Sequence, residues 1–292
     1  AALAAEYGLA PAQVLPANGS DEALAFALRA FCGAGRPLAF ADVTYGFYEV
    51  WANFFGFEAQ RIPLAADFTL RPKDYFGLGC TIVLANPNAP TGLALPPEEI
   101  GRIAAANPDN VVIVDEAYAD FAPQSCLGLL GRHPNLLIVR TFSKSRSLAG
   151  GRLGFALGSE ELIACLARVR DSFHPYNVNT LTQAAGIAAL ADREYFARCL
   201  ADVCATRRWA AGALAALGFE GTDSAANFVF VRHPALPGRE IAAALRARGI
   251  LVRRWDAPRI ADWLRISVGS RPQMQTLLAA LADILHTSPK EA

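Results

Sequence analysis

Two short apolar runs constrain this chain more than any other feature. Residues 111–114 read VVIV and residues 136–139 read LLIV, and each run passes directly into polar residues, DEAYADF after the first and RTFSKSRSLAGGRLG after the second. Runs of this length without a polar break suit strands buried on both faces, as in a parallel sheet. Such a sheet has to be covered by helices on either side, and its ligands bind just beyond the carboxyl ends of its strands. Asp115, Tyr118, Thr141, Ser143, Lys144 and Arg152 are therefore expected at one crevice.

The rest of the chain extends the same pattern. Further strands are expected at 13–15, 38–41, 58–64, 80–84 and 153–157, alternating with helices at 97–106, 160–171 and 180–190. Ser20 is expected to cap a helix that carries Asp21 and Glu22 in its first turn and stops at Gly33 and Gly35. The aromatics at 45, 47, 48, 51, 54 and 55 fall near helical spacing and are expected mostly in the core, Tyr45 excepted. This alternation predicts an α/β fold with a mainly parallel sheet covered on both faces. A long amphipathic helix over 193–218 then leads into a smaller C-terminal α+β domain: strand 227–231, helix 239–248, strands 250–253 and 263–268, helix 272–286. The expected division is 1–205 for the large domain and 206–292 for the small one.

Composition excludes several function classes. Lys+Arg and Asp+Glu both number 27, so no net field draws the chain to nucleic acid or to an anionic membrane, and neither partner is expected. The six cysteines form no CxxC pair, which argues against a disulfide framework or a metal site and for a reducing cytoplasm. The uncharged stretches carry Asn, Gln, His and Pro, so no membrane span is expected, and the start lacks the pattern of a signal peptide.

A lysine flanked by hydroxyls, with an arginine eight residues on, can form a Schiff base with an aldehyde cofactor. Pyridoxal phosphate needs an anion against its ring nitrogen, and Asp115 fits that role, with Tyr118 beside it as a phenol donor. Singly, each would be a surface lysine, a strand-end aspartate and a core tyrosine. Their order and context together favour a site. The Gly19–Ser20 turn opening a helix is a place where a phosphate can dock, a weak signal by itself.

The D-E-A-Y at 115–118, and the T-F-S-K at 141–144 followed by Arg152, resemble fold-type I pyridoxal-phosphate-dependent aminotransferases, and among them the histidinol-phosphate aminotransferases, from about Gln13 to Ala282. The resemblance implies pyridoxal 5′-phosphate on Lys144, which also serves as the base, with Asp115 and Tyr118 in the chemistry. It implies the cofactor phosphate at Ser20, Asp21, Glu22 and Arg152, with Thr141 and Ser143 close by, and Tyr45 stacked on the ring. In N-P-N-A-P-T-G, residues 86–92, Ala89 stands where the family has asparagine, so either Asn88 reaches the cofactor's phenolic oxygen or Tyr118 does so alone. W-L-R-I-S-V-G is similar to the family segment whose arginine binds substrate, implying Arg265 in that role with Arg253 and Asn227 beside it. His174 is left outside catalysis. The implied activity is amino transfer between glutamate and the phosphorylated keto compound imidazole-acetol phosphate, by a cytoplasmic homodimer. Another aminotransferase, a threonine-phosphate decarboxylase or a non-catalytic remnant lacking the family's N-terminal arm are the alternatives.

Overall fold

The computed structural model describes residues 1–287 of the chain; residues 288–292, the end of the expected small domain, lie outside the described residues. In chain order, α1 (Ala2–Tyr7), β1 (Val14–Ala17), α2 (Ser20–Phe31), β2 (Leu38–Ala41), α3 (Phe47–Phe55) and β3 (Ala59–Ile62) come first. They are followed by β4 (Thr81–Ala85), α4 (Pro97–Ala105), β5 (Val112–Asp115), β6 (Leu136–Thr141), β7 (Gly154–Leu157), α5 (Glu160–Phe173) and α6 (Thr180–Ala191). The long α7 (Arg193–Ala216) leads to β8 (Glu220–Gly221), β9 (Phe228–Arg232), α8 (Gly238–Ala247), β10 (Arg253–Arg254), β11 (Leu264–Ser267) and α9 (Arg271–Thr287).

The first seven strands form one sheet in the order β1-β7-β6-β5-β4-β2-β3. β7 runs antiparallel to both of its neighbours, and the pairs from β6 through β3 are parallel. The fold is therefore α/β with the mainly parallel sheet that the apolar runs predict. Alternate residues of each central strand enter different layers: Ile113 and Leu137 pack with α2, α3 and α5, whereas Val112, Val114 and Ile138 pack with α4 on the other face. Both faces are dry, and each fully buried aliphatic side chain contributes roughly 2 kcal/mol.

The last four strands form a smaller antiparallel sheet, β10-β11-β9-β8. One face packs on α7, α8 and α9 through Val229, Val231, Leu264 and Ile266. The other turns toward the large sheet: Phe230 packs with Ala41, Val43, Leu64 and Phe68, and Phe228 with Ala89 and Tyr118. The small sheet thus overhangs the strand ends of the large one.

Several expectations are corrected. The cap of α2 is Gly19, at φ 84°, with Ser20 inside the helix. Phe47 and Phe54 are exposed, so the aromatic set at 45–55 is split between core and surface. The ladder expected at 250–253 covers only Arg253–Arg254. Gly249 turns the chain at φ 75°, and Ile250 and Val252 pack on the small core without a strand partner. No helix among the described residues is long and apolar enough to cross a membrane.

Candidate active site

The carboxyl ends of β4, β5 and β6 open onto a cavity of about 160 Å³ lined by Ser20, Asp21, Tyr45, Ala89, Asp115, Tyr118, Thr141, Ser143, Lys144 and Arg152, among others. Nine residues predicted for the cofactor therefore meet in one space, delivered by strand ends and by the opening of α2.

Asp115 is the last residue of β5 and is buried. Its Oδ2 accepts from the Tyr48 hydroxyl at 2.7 Å and its Oδ1 from the Ala117 N–H at 3.1 Å. Loss of water drives its pKa up to about 6, against the opposing pull of Tyr48, Ala117 and Lys144 and with a further push from Asp21. Tyr118 stands beside it, its ring 5.5 Å from Lys144 Nζ and edge-on to Phe228 at 5.2 Å.

The opposite end of the cavity is built by backbone approach. A Cβ on Gly154 would lie 2.3 Å from Gly19 C and Ser20 N, so only glycine lets β7 reach the first turn of α2. A Cβ on Gly19 would lie 2.5 Å from Arg152 Nη2, so the guanidinium rests against that glycine. Arg152 itself sits at φ 50°, a conformation non-glycine residues adopt rarely and mostly at functional sites. Asp21 accepts from Tyr45 at 3.0 Å and from Arg152 at 3.3 Å. The opening of α2 and Arg152 thus face the same end of the cavity, an arrangement suited to an anion. Thr141 Oγ1 donates to Ser143 Oγ at 2.9 Å and accepts from Ser143 N at 3.1 Å, which fixes the turn before Lys144.

This donor set fits a phosphorylated pyridine aldehyde. A buried acid lies at one end, an amine and a phenol at the middle, and an arginine with a helix N-terminus at the other end. The glycine cradle at Gly19 and Gly154 leaves the room a Cβ would fill.

The structure turns some predicted residues elsewhere. Asn88 does not line this cavity: its Nδ2 donates to Val43 O and Thr91 Oγ1 at 2.9 and 3.0 Å, and its Oδ1 accepts from Thr44 at 2.7 Å. Ala89 lines the cavity in its place, together with Tyr118. Glu22 also points away; it accepts from Asn18 N and Asn177 Nδ2, both at 2.6 Å, and pairs with His174 at 3.1 Å, so it braces the turn from behind. Asn227, half-buried, lies off the cavity, and its carbonyl holds Val268 N at 2.9 Å.

Arg265 and Arg253 are cross-strand partners on β11 and β10, and neither lines the cavity itself. The Arg265 guanidinium lies 5.2 Å from the Phe228 ring and 5.6 Å from Trp255, and Arg253 lies 5.4 Å from Trp255. Neither makes an ion pair among the described residues. Two like charges side by side without a carboxylate are suited to receiving anions.

Residues that the sequence did not single out support the site. Tyr48 holds Asp115. Arg140, almost buried, donates to Asp120 at 2.6 Å and lies 3.4 Å from Glu116, while Ser145, next to Lys144, donates to Asp120. A charge inside the otherwise apolar run of β6 is the signal that points to this network.

The family model for aminotransferase class I and II matches residues 1–281. A histidinol-phosphate aminotransferase of Aromatoleum aromaticum is 48% identical over 290 residues, covering 98% of this chain and 82% of the relative. The structure of a histidinol-phosphate aminotransferase from Sinorhizobium meliloti in complex with pyridoxal-5′-phosphate superposes with a TM-score of 0.89 at 27% identity, over 98% of this chain and 80% of that one. An L-threonine-O-3-phosphate decarboxylase from Porphyromonas gingivalis shares the fold, with a TM-score of 0.85 at 23% identity over 98% of this chain and 87% of that one. The chain belongs to the aminotransferase class I and II family.

Proposed function

We propose that this enzyme uses pyridoxal 5′-phosphate to transfer an amino group between glutamate and imidazole-acetol phosphate, forming histidinol phosphate for histidine biosynthesis. The convergence of Lys144, Asp115 and Arg152 on one cavity carries this reading. The relatives' names supply its substrate.

When bound, the cofactor supplies an aldehyde that holds amines covalently and a ring that withdraws electrons. Arg152 and the N–H groups at the α2 opening would hold its phosphate, Tyr45 would pack on the ring, and Tyr118 would donate to its phenolic oxygen. Asp115, charged above a pKa of about 6, keeps a proton on the ring nitrogen. Lys144 Nζ would serve as the base that takes the proton from the amino donor's α-carbon and, in the second half-reaction, as the acid that gives a proton to the α-carbon of the acceptor. Arg265 takes the carboxylate or phosphate at the mouth, and Arg253 adds a second fork for the phosphorylated substrate.

The division into a cofactor-binding part at 1–205 and a small part from 206 belongs to the same reading. Ala210 and Leu214 of α7 already sit in the small core, while Cys204 still bonds Phe121 O of the large part. Exposed Phe54, Leu181 and Ile187 support assembly with a second copy, and six free cysteines support a cytoplasmic setting.

Half-reactions test the substrate. Converting the enzyme to its amine form with glutamate and then offering phosphorylated keto compounds is expected to give fast turnover with imidazole-acetol phosphate. Arg265→Ala is expected to slow the half-reactions with glutamate and with histidinol phosphate, each by about 2–5 kcal/mol. Wild-type rates throughout remove the substrate assignment.

A further inference from the structure

Asp115 has to be an anion in a place largely withdrawn from water, at the wall of the cavity. Its carboxylate is buried at the end of β5, and an isolated charge there is costly. The groups facing it come from four directions. Ala117 N–H and the Tyr118 phenol follow it along the chain, Lys144 comes from the turn after β6, Asp21 from the opening of α2, and Tyr45 and Tyr48 from the start of α3. Of these, Asp21 opposes the charge at long range and Lys144 favours it. The direct donors are the Ala117 N–H at 3.1 Å and the Tyr48 hydroxyl at 2.7 Å.

Tyr48 is fully buried, packed edge-on against Tyr45 with centroids 5.5 Å apart, and its hydroxyl has Asp115 as its acceptor. The loop entering α3 and its first turn therefore reach both ends of the cavity: Tyr45, before the helix, bonds Asp21, which holds Arg152, and Tyr48, inside it, bonds Asp115. A phenol placed purely to fill the core needs no hydroxyl there, and phenylalanine would fill the same space without burying an oxygen.

We propose that Tyr48 is a positioning residue of this enzyme: its hydroxyl keeps the Asp115 carboxylate anionic and fixed at the cavity wall. This inference rests on the cofactor reading above for its place in the reaction, but the coupling itself is a property of the protein alone. A hydrogen bond to a charged acceptor stabilises it more than one to a neutral acceptor. Removing it shifts Asp115 toward its neutral form, in which it no longer holds a proton on a ring nitrogen by charge.

The test uses the apoprotein first. With carboxyl-labelled aspartate, the signal lost in Asp115→Asn identifies Asp115, and its NMR midpoint is followed with pH. The wild-type midpoint is expected near 6. Tyr48→Phe is expected to move it up by about one pH unit, the size of one charge-assisted hydrogen bond. Difluorotyrosine placed at position 48, a stronger donor of similar shape, is expected to move it down. The acid limb of the single-turnover rate with glutamate should shift in the same direction in each loaded variant. Midpoints unchanged in both variants overturn the proposal. Failure of the wild type to gain a visible absorption band with pyridoxal phosphate would instead count against the cofactor reading and leave the apoprotein titration standing.

Discussion

The carboxyl group of Asp115 illustrates how much of this site is set against the stability of the fold. Its pKa rises from 3.8 to about 6 on burial, so between these values the folded chain holds a proton that the unfolded chain has already released. Stability contributed by that proton is complete below the unfolded pKa and is lost as pH rises through the folded one, at a total cost of about 3 kcal/mol, part of which is already incurred at about pH 4. Asp115→Asn removes this dependence. The apoprotein variant is therefore expected to gain about 2 kcal/mol over the wild type between about pH 4 and pH 7, measured by urea unfolding at both, while turnover falls by roughly 10²-fold or more. A pH-independent difference in stability contradicts this. The same residue also shows what was legible from sequence. Position at or just beyond the ends of β5 and β6 predicted Asp115 and Lys144, because the end of a parallel strand fixes where its residues lie, whereas Arg152, in the turn leading into the antiparallel β7, followed from its spacing after Lys144. Side-chain direction within a turn did not follow: Asn88 bonds Val43, Thr44 and Thr91, and Glu22 bonds Asn18 and Asn177. Tyr48 was missed because an aromatic at helical spacing looks like core until its hydroxyl is placed.

Among elements, the contact of β7 with the start of α2 governs the anion end of the cavity. Gly154→Ala puts a methyl group 2.3 Å from the Gly19–Ser20 peptide, and the backbone has to yield because no flexible side chain stands in the way. Overpacking of this kind costs about 1–3 kcal/mol, and the displaced turn carries the groups proposed to hold the phosphate. Affinity for pyridoxal phosphate is expected to fall by roughly tenfold or more, read by equilibrium titration of the visible band. Gly128→Ala, whose Cβ has no neighbour within 4 Å, should leave it unchanged. Equal affinities in the two variants would contradict this role. The central strands of the large sheet were plain in the sequence because both their faces are buried and their apolar runs little broken. β8 and β10, two residues each, and the six-residue α1 were not, since their length leaves too few residues for a period to show.

The whole molecule brings two sheets to one mouth. Phe228 and Phe230 alternate with Val229 and Val231, so β9 packs on its own helices with one face and on the large sheet with the other. Arg259 ties the two parts further along, donating to Asp42 Oδ2 at 2.6 Å and to Ala65 O at 2.7 Å. This packing sets Arg265 one aromatic ring, Phe228, from Tyr118, a proximity between residues 147 positions apart that no local pattern in the chain encodes. On the cofactor reading, all of these parts serve one amine, Lys144. The direct test of that reading is borohydride reduction of the protein loaded with pyridoxal phosphate, followed by peptide mapping. The expected result is loss of the visible band with the cofactor fixed on Lys144. A label on Lys73 or Lys290, or no label at all, would contradict it.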